Sequence, residues 1–469
     1  MQKKHLQNNL YNILLLVIYT GIVLSTTFFH EIWTDEAQAW LVAGDSSLLN
    51  IIKEIRIEGH PILWYLILMP LHKLHLPVIS MQITSSFFMI VATAVLLWKS
   101  PFNKLIKTVI IFSPAFLYYL PIIARNYCLV PIFLFLFCIY YNKRNQSPVL
   151  YCIILLLLAN THILMFGFCF CAFLIFLFQK IKDNSITEDL TRFISIVITA
   201  IIFLSMIIFF HGAKDLNIDI VYMNSFGINI SNLLTYMDLF KFYKELNLNV
   251  LYIIANISFI AFAILGLLGT FKIDKQFSLI ALTGLLFQFY VYIFVWQINI
   301  QKVSLIILTL LSCYWIIYYK QSELDKKFKF ALTISMIMFF ALSIPISIKT
   351  IKYDILNDFS YSLKAAKALK SFADKDSVVL ALGYTSPIQA YLTDLKYYSP
   401  VCKQNITYYK YDIRISDIRN TNKDKELKKL NFSYIIASDI IDDNRYKLIY
   451  APEKSSVIEK FYLYEFIKK

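Results

Sequence analysis

Glycine and proline are scarce, at 10 and 12 of 469 residues. That excludes collagen-like and low-complexity chains, which need far more of both. Charge is scarce as well. Charged residues make up 16% and hydrophobic residues 58% of the chain, whereas soluble domains sit near a quarter and about half. A chain this long and this apolar has nowhere to bury the excess except lipid. Of seven cysteines, Cys128, Cys138, Cys152, Cys169, Cys171 and Cys313 lie inside apolar runs, and only Cys402 lies in a polar region. No disulfide framework and no zinc-ligand spacing is present. The formal charge of +14 would suggest nucleic acid as a partner of a soluble protein. Here the basic residues sit at the ends of apolar runs, where they set membrane orientation, and no nucleic-acid partner is expected.

What is abundant is apolar runs. Those at 10–29, 78–98, 108–124, 127–141, 149–160, 163–178, 193–210, 250–270, 277–296, 303–319 and 330–348 read as about eleven transmembrane helices, a span needing about 20 residues. The stretch 108–141 is divided at Arg125-Asn126, because an arginine in mid-bilayer costs roughly 2.5–3.5 kcal/mol. The stretch 149–178 is divided at Asn160-Thr161-His162. The first run has no small-residue cleavage site after it and reads as a retained helix. Lysine and arginine then orient the chain. With Lys3 and Lys4 in the cytoplasm, the inner loops carry Lys99, Lys104, Lys107, Lys143, Arg144, Lys180, Lys182, Arg192, Lys272, Lys275, Lys320, Lys326, Lys327 and Lys329. The longer outer loops carry fewer basic residues.

The expected fold is therefore a polytopic α-helical membrane protein of the cell membrane, with residues 1–348 as the transmembrane module and an outer loop at 30–77. Residues 349–469 form an extracytoplasmic domain. This tail mixes a helix-like Tyr361 to Phe372 with strand-like Ser377 to Leu382 and Tyr434 to Ala437. A charged helix near Asp424 to Leu430 and an alternating run Val457 to Phe466 follow the same pattern, which suggests a small α/β domain. No glycine-rich phosphate loop or nucleophile motif appears in it.

The outer loop holds the most informative residues. It begins Trp33-Thr34-Asp35-Glu36-Ala37-Gln38-Ala39-Trp40, so that two acids directly follow a membrane helix and open a short one. Ser46 or Ser47 can cap a second helix, whose Leu48, Ile51, Ile52 and Ile55 share one face suited to a membrane surface. Then comes Glu58-Gly59-His60-Pro61-Ile62-Leu63-Trp64-Tyr65, with a proline suited to the first turn of a third helix. This order places Asp35, Glu36, Glu58 and His60 near the outer headgroups. A partly desolvated carboxylate there is either raised in pKa or paired with a cation, and both states suit proton removal from a hydroxyl. The alternative is that Asp35 caps a helix, Glu36 is solvated and His60 meets headgroups.

Three further residues face the same side. Arg125, in the turn Ala124-Arg125-Asn126-Tyr127, has a donor fork that fits a phosphate, or it snorkels to the interface. His162 faces outward in an Asn-Thr-His turn and is there a structural residue as readily as a ligand. Lys302 heads a later span, where an anionic lipid and the interfacial basic belt are both adequate explanations.

The segments Asp35-Glu36-Ala37-Gln38-Ala39-Trp40 and Glu58-Gly59-His60-Pro61-Ile62-Leu63-Trp64-Tyr65, with Arg125-Asn126-Tyr127, resemble the GT-C glycosyltransferases. The likeness is to family 39, the protein O-mannosyltransferases, and to the bacterial aminoarabinose transferases. It covers approximately residues 10–180; beyond that it is one of topology. Relatives often carry an Arg-His pair at the head of a late span where this chain has Gln301-Lys302, a departure that puts the lipid-phosphate contact there in doubt. The resemblance implies a polyprenyl-phosphate-sugar-dependent transferase acting on an acceptor hydroxyl at the outer face. Asp35 would be the general base. Glu36, Glu58 or His60 would orient the acceptor or hold a divalent metal cation. Arg125 and Lys302 would meet the leaving phosphate, and Tyr127 of the Arg-x-Tyr turn and His162 would be further substrate-binding residues. The acceptor, whether protein, lipid or glycan, is open. A multi-span lipid or glycan transporter or flippase is the rival reading, against which stand the absence of an internal repeat and the gathering of ionisable groups at one face. An envelope scaffold is a third.

Overall fold

A computed structural model describes residues 2–58, 60–186, 189–211, 226–295, 298–375, 377–400, 402–408, 432–453 and 459–467. In chain order the helices are α1 (Gln2–Phe29), α2 (Thr34–Asp45), α3 (Leu48–Glu58), α4 (Leu63–Lys73), α5 (Ile79–Lys99), α6 (Lys104–Ile111), α7 (Val130–Tyr141), α8 (Pro148–Ala159) and α9 (Phe166–Lys182). They continue with α10 (Leu190–His211), α11 (Phe226–Met237), α12 (Lys241–Glu245), α13 (Asn249–Ile273), α14 (Lys275–Phe294), α15 (Ile300–Tyr319), α16 (Lys326–Leu356), α17 (Ser362–Phe372) and α18 (Ser386–Tyr391). The strands are β1 (Val378–Leu382), β2 (Lys396–Ser399), β3 (Gln404–Ile406), β4 (Tyr434–Ala437), β5 (Tyr446–Tyr450) and β6 (Tyr462–Phe466).

The chain is a membrane-embedded helical protein. Among the described residues, eight helices are long and apolar enough to cross a bilayer. The runs at 108–124, 127–141 and 149–160 yield shorter pieces. The first of them splits into α6 and a π-helical turn, Ala115–Tyr119. The other two give helices of 12 residues, α7 and α8, and a 12-residue helix rises only about 18 Å.

The chain divides into two compact units that do not follow chain order. The first comprises Met1–Thr27, Thr84–His211 and Ile220–Lys352, while the second joins Phe28–Ile83 to Tyr353–Lys469. In the first unit α15 is the central helix, with 89% of its apolar window buried against 56% or less in every other span. Backbone carbonyls bind side chains across it: Tyr19 donates to Phe116 O at 2.7 Å and Ser347 to Phe112 O at 2.8 Å. Phe116 lies in the π turn and Phe112 just ahead of it, where helical bonding is irregular and spare carbonyls need donors.

The second unit is built on a six-stranded sheet in the order β3-β2-β1-β4-β6-β5. β1 runs parallel to β2 and β4, and the remaining pairs are antiparallel. β1 is apolar throughout because both of its faces are covered. Val379 and Ala381 pack with Ala365 and Leu369 of α17 and Ile388 of α18. Leu380 and Leu382 pack with Ile435, Ala437 and Tyr464 on the other face. β1 ends at Gly383, whose φ of +81° suits a residue without a Cβ. A Cβ there would lie 2.0 Å from Ser438 Oγ, so the carboxyl ends of β1 and β4 close on each other at this glycine. The helix that follows, α18, packs on α2. The proposed charged helix at 424–430 lies outside the described residues.

The three short helices of the former loop belong to this second unit. Ser47 caps α3 by accepting from Asn50 N–H at 3.3 Å. The apolar face of α3 is split: Ile51 and Ile55 are buried in the protein, whereas Leu48 and Leu49 are exposed. α2 packs on α4 through Trp40, whose ring centroid lies 5.0 Å from that of His72, and through Gly44, where a Cβ would lie 2.1 Å from the same ring.

Candidate functional site

Asp35 and Glu36 stand in the first turn of α2, and side chains from distant residues bind both that turn and the segment leading into it. The chain leaves α1 at Phe29 and runs through His30 to Trp33 before α2 begins. A segment outside helix and sheet has backbone groups to satisfy, and here side chains satisfy them. His30 O accepts from Gln82 Nε2 at 3.0 Å, and Ile32 N–H donates to Tyr391 Oη at 3.3 Å. Ile32 O accepts from the hydroxyls of Ser360 and Ser362, each at 2.8 Å. Thr34 N–H donates to the carboxylate of Glu459 at 3.0 and 3.2 Å to its two oxygens. Glu31, itself buried, accepts from Ser360 N–H at 3.1 Å.

The two adjacent acids have different places. Glu36 is fully buried. Its Oε2 accepts from Trp33 N–H at 3.2 Å and lies 3.2 Å from His30 Nε2. Glu36 is the third helical residue and caps α2 by reaching back to the N-cap backbone, the acid half of a capping box. His30 in turn places Nδ1 2.9 Å from Asp354 Oδ2. Both ring nitrogens face carboxylates, so both donate and the ring is an imidazolium. Burial alone would lower its pKa, but the charges of Glu36 and Asp354 outweigh burial and raise it to about 10. Asp35 is the second helical residue, half-exposed, and is not the cap.

Glu459, from the chain just ahead of β6, has its carboxyl pushed up to about 7. Burial raises it, hydrogen bonding to Thr34 opposes the rise, and the charges of Asp35 and Glu36 add to it. Glu58 closes α3, but its side chain lies outside the described residues. His60 is half-buried just ahead of α4. Both contacts of Glu36 described above, with His30 and the Trp33 amide, are made through Oε2. Among the described residues no group of three His, Cys, Asp or Glu is arranged to hold a metal ion.

The first unit brings the basic candidates together. The two breaks in its apolar runs meet: Asn126 Nδ2 donates to Thr161 O at 2.8 Å, and Tyr127 stacks on His162 with centroids 4.5 Å apart. Arg125, the residue before this turn, is 9% exposed, and Tyr127 and His162 are buried. Lys302 is half-buried in the first turn of α15. Asn299 caps that helix by accepting from Lys302 N–H at 2.9 Å. Gln301 beside it donates to Tyr119 O at 3.1 Å. His162 Nδ1 accepts from Leu164 N–H at 3.1 Å, so a neutral ring carries its proton on Nε2. Burial, and then the charges of Lys302 and Arg125, hold His162 well below the usual histidine range. The three groups thus share one electrostatic neighbourhood, in which Lys302 and Arg125 act on His162.

Neither the family models searched nor the curated proteins give a match to this chain. Its function must be argued from these residues.

His30, Glu31, Asp354 and Glu459 were not singled out from the sequence. His30 carried one available signal, a histidine six residues before Glu36 at the end of an apolar run. Asp354 and Glu459 lie more than 300 residues away from it, with no local pattern to mark them.

Proposed function

We propose that the protein is a membrane glycosyltransferase of GT-C type. It moves a sugar from a polyprenyl-phosphate donor to an acceptor hydroxyl at the extracytoplasmic face. The observation that carries this reading is the division of labour at α2: Glu36 is buried and bound to His30, while its neighbour Asp35 is half-exposed on a turn that Glu459 binds at Thr34 and that is entered through Ile32, itself bound by Tyr391, Ser360 and Ser362. Preorganisation of that kind serves a general base, whose contribution depends on placement.

Asp35 takes the proton of the acceptor hydroxyl. The acceptor oxygen bonds to the anomeric carbon, the bond from that carbon to the phosphate oxygen breaks, and its electron pair leaves with the polyprenyl phosphate. A phosphate monoester is released, and stabilising its developing charge is the main electrostatic task. The resemblance to the GT-C enzymes implies that Arg125 and Lys302 supply the countercharge, Arg125 through its fork of donors. His162, kept neutral, offers Nε2–H without needing a proton from solution, and Tyr127 holds its ring by stacking.

Orientation belongs to the same reading. The lysine bias places the N-terminus inside and residues 349–469 outside, so protease added to intact spheroplasts should remove the tail. The transfer itself is tested with purified protein and a panel of undecaprenyl-phosphate hexoses labelled in the sugar. Release of undecaprenyl phosphate that depends on added acceptor supports the reading. A full panel that stays intact contradicts it.

A further inference from the structure

The C-terminal segment contributes one side chain to the turn that carries Asp35, and it does so through the backbone. α2 begins at Thr34, and the amides of its first turn have no helical partner. The Thr34 amide finds its partner 425 residues away, in the Glu459 carboxylate. Nearer residues serve the rest of the turn: Glu36 N–H and Ala37 N–H both donate to Trp33 O, at 3.1 and 3.0 Å. A carboxylate on a helix N-terminus makes charge-assisted bonds that are stronger than neutral ones. Thr34 is the residue immediately before Asp35, so whatever fixes its peptide plane fixes where the Asp35 side chain starts.

We propose that Glu459 is a positioning residue for Asp35: the extracytoplasmic segment holds the base in its working place through the Thr34 amide, and the site is incomplete without it. This rests on the transferase reading for the role of Asp35, but the tether itself can be measured without any substrate. The same tail also supplies Ser360, Ser362 and Tyr391 to Ile32, the residue before Trp33, so it is built around this segment rather than merely following the last span.

Three variants of the full-length protein in nanodiscs test it. Glu459→Ala removes the acceptor, and Glu459→Gln keeps an oxygen for the amide. Thr34→Pro removes the donor instead. Proline suits the first helical position, and Trp33, with φ −115° and ψ 177°, already has the extended backbone that a following proline requires. Hydrogen exchange at the Glu36 and Ala37 amides should quicken about tenfold or more in Glu459→Ala and stay near wild type in Glu459→Gln, as local opening is released. With an undecaprenyl-phosphate hexose as donor, kcat should fall about 10- to 100-fold in Glu459→Ala and in Thr34→Pro. The donor KM should stay unchanged, and the double variant should be no worse than either. Unaltered exchange in Glu459→Ala, or losses in the two variants that multiply, would overturn the tether. A wild-type protein that transfers no hexose defeats the transferase reading, while the exchange result still decides the tether.

Discussion

His30 Nε2 donates to Glu36 Oε2 across 3.2 Å, with both side chains fully buried. This contact separates two adjacent acids: Glu36 is buried against His30, and Asp35 is half-exposed. Glu36 is fully buried, and its Oε2 is shared between His30 and the Trp33 amide. The same contact makes the region vulnerable. His30→Ala leaves the carboxylates of Glu36 and Asp354 buried without their shared cation, and breaking a buried pair in this way costs about 3–5 kcal/mol. Thermal unfolding of the detergent-solubilised variant should show a large drop. A variant as stable as wild type would mean that the cation does not hold these acids.

The pH dependence of stability follows from two raised groups. Glu459 is raised to about 7 and His30 to about 10. A group with a raised folded-state pKa binds more protons folded than unfolded, so its contribution is present at low pH and lost as pH rises. For Glu459 the loss runs from the ordinary carboxylate range up to about pH 7. For His30 it runs from about 6.5 to about 10. Unfolding temperature should therefore decline between pH 5 and 7 and again above it, and Glu459→Gln should remove the first decline. A first decline of equal size in Glu459→Gln would assign it to another group.

Gly44 tests the close approach of α2 to α4. A Cβ at this position would lie 2.1 Å from the His72 ring, and that ring also packs on Trp40. Gly44→Ala should destabilise the protein by about 1–3 kcal/mol, as overpacking does, despite alanine's better helix propensity. A stabilised Gly44→Ala in the same unfolding assay would show that α4 yields freely.

The basic cluster gives a binding prediction. Arg125→Ala should weaken binding of undecaprenyl phosphate about tenfold or more, as loss of a charge-assisted pair does. Arg125→Lys should recover only part, because lysine lacks the planar fork. Binding measured by tryptophan quenching in nanodiscs checks both, and an alanine variant with undiminished affinity would remove Arg125 from the phosphate.

Much of this was legible in the residues, in proportion to how local each signal is. The apolar runs and their breaks at Arg125-Asn126 and Asn160-Thr161-His162 could be read because span length and a mid-bilayer charge are local properties. That the two breaks face each other, Asn126 on Thr161 and Tyr127 on His162, is a tertiary fact with no periodicity behind it. β1, β4 and α17 stood out as short apolar or amphipathic runs. β2, β3 and β5 did not, since Lys396–Ser399 and Gln404–Ile406 are brief and half polar, and only pairing with β1 and β2 makes them strands. Asp35 and Glu36 were visible as a pair, but the alternative of a capping Asp35 beside a solvated Glu36 is reversed in the structure, where Glu36 is the buried cap, because His30, Asp354 and Glu459 come to this region only after the chain has folded back.

The most direct test of the central claim compares Asp35→Asn with Glu36→Gln in transfer from an undecaprenyl-phosphate hexose. The capping bond belongs to Glu36, so Asp35→Asn should leave the unfolding temperature near wild type. It should lower kcat about 10²- to 10⁴-fold, the usual contribution of a general base, with donor binding retained. Glu36→Gln should instead lose stability, since a neutral amide replaces the partner of a buried imidazolium. Full turnover in Asp35→Asn, with the protein folded and the donor bound, would contradict the assignment of Asp35 as the base.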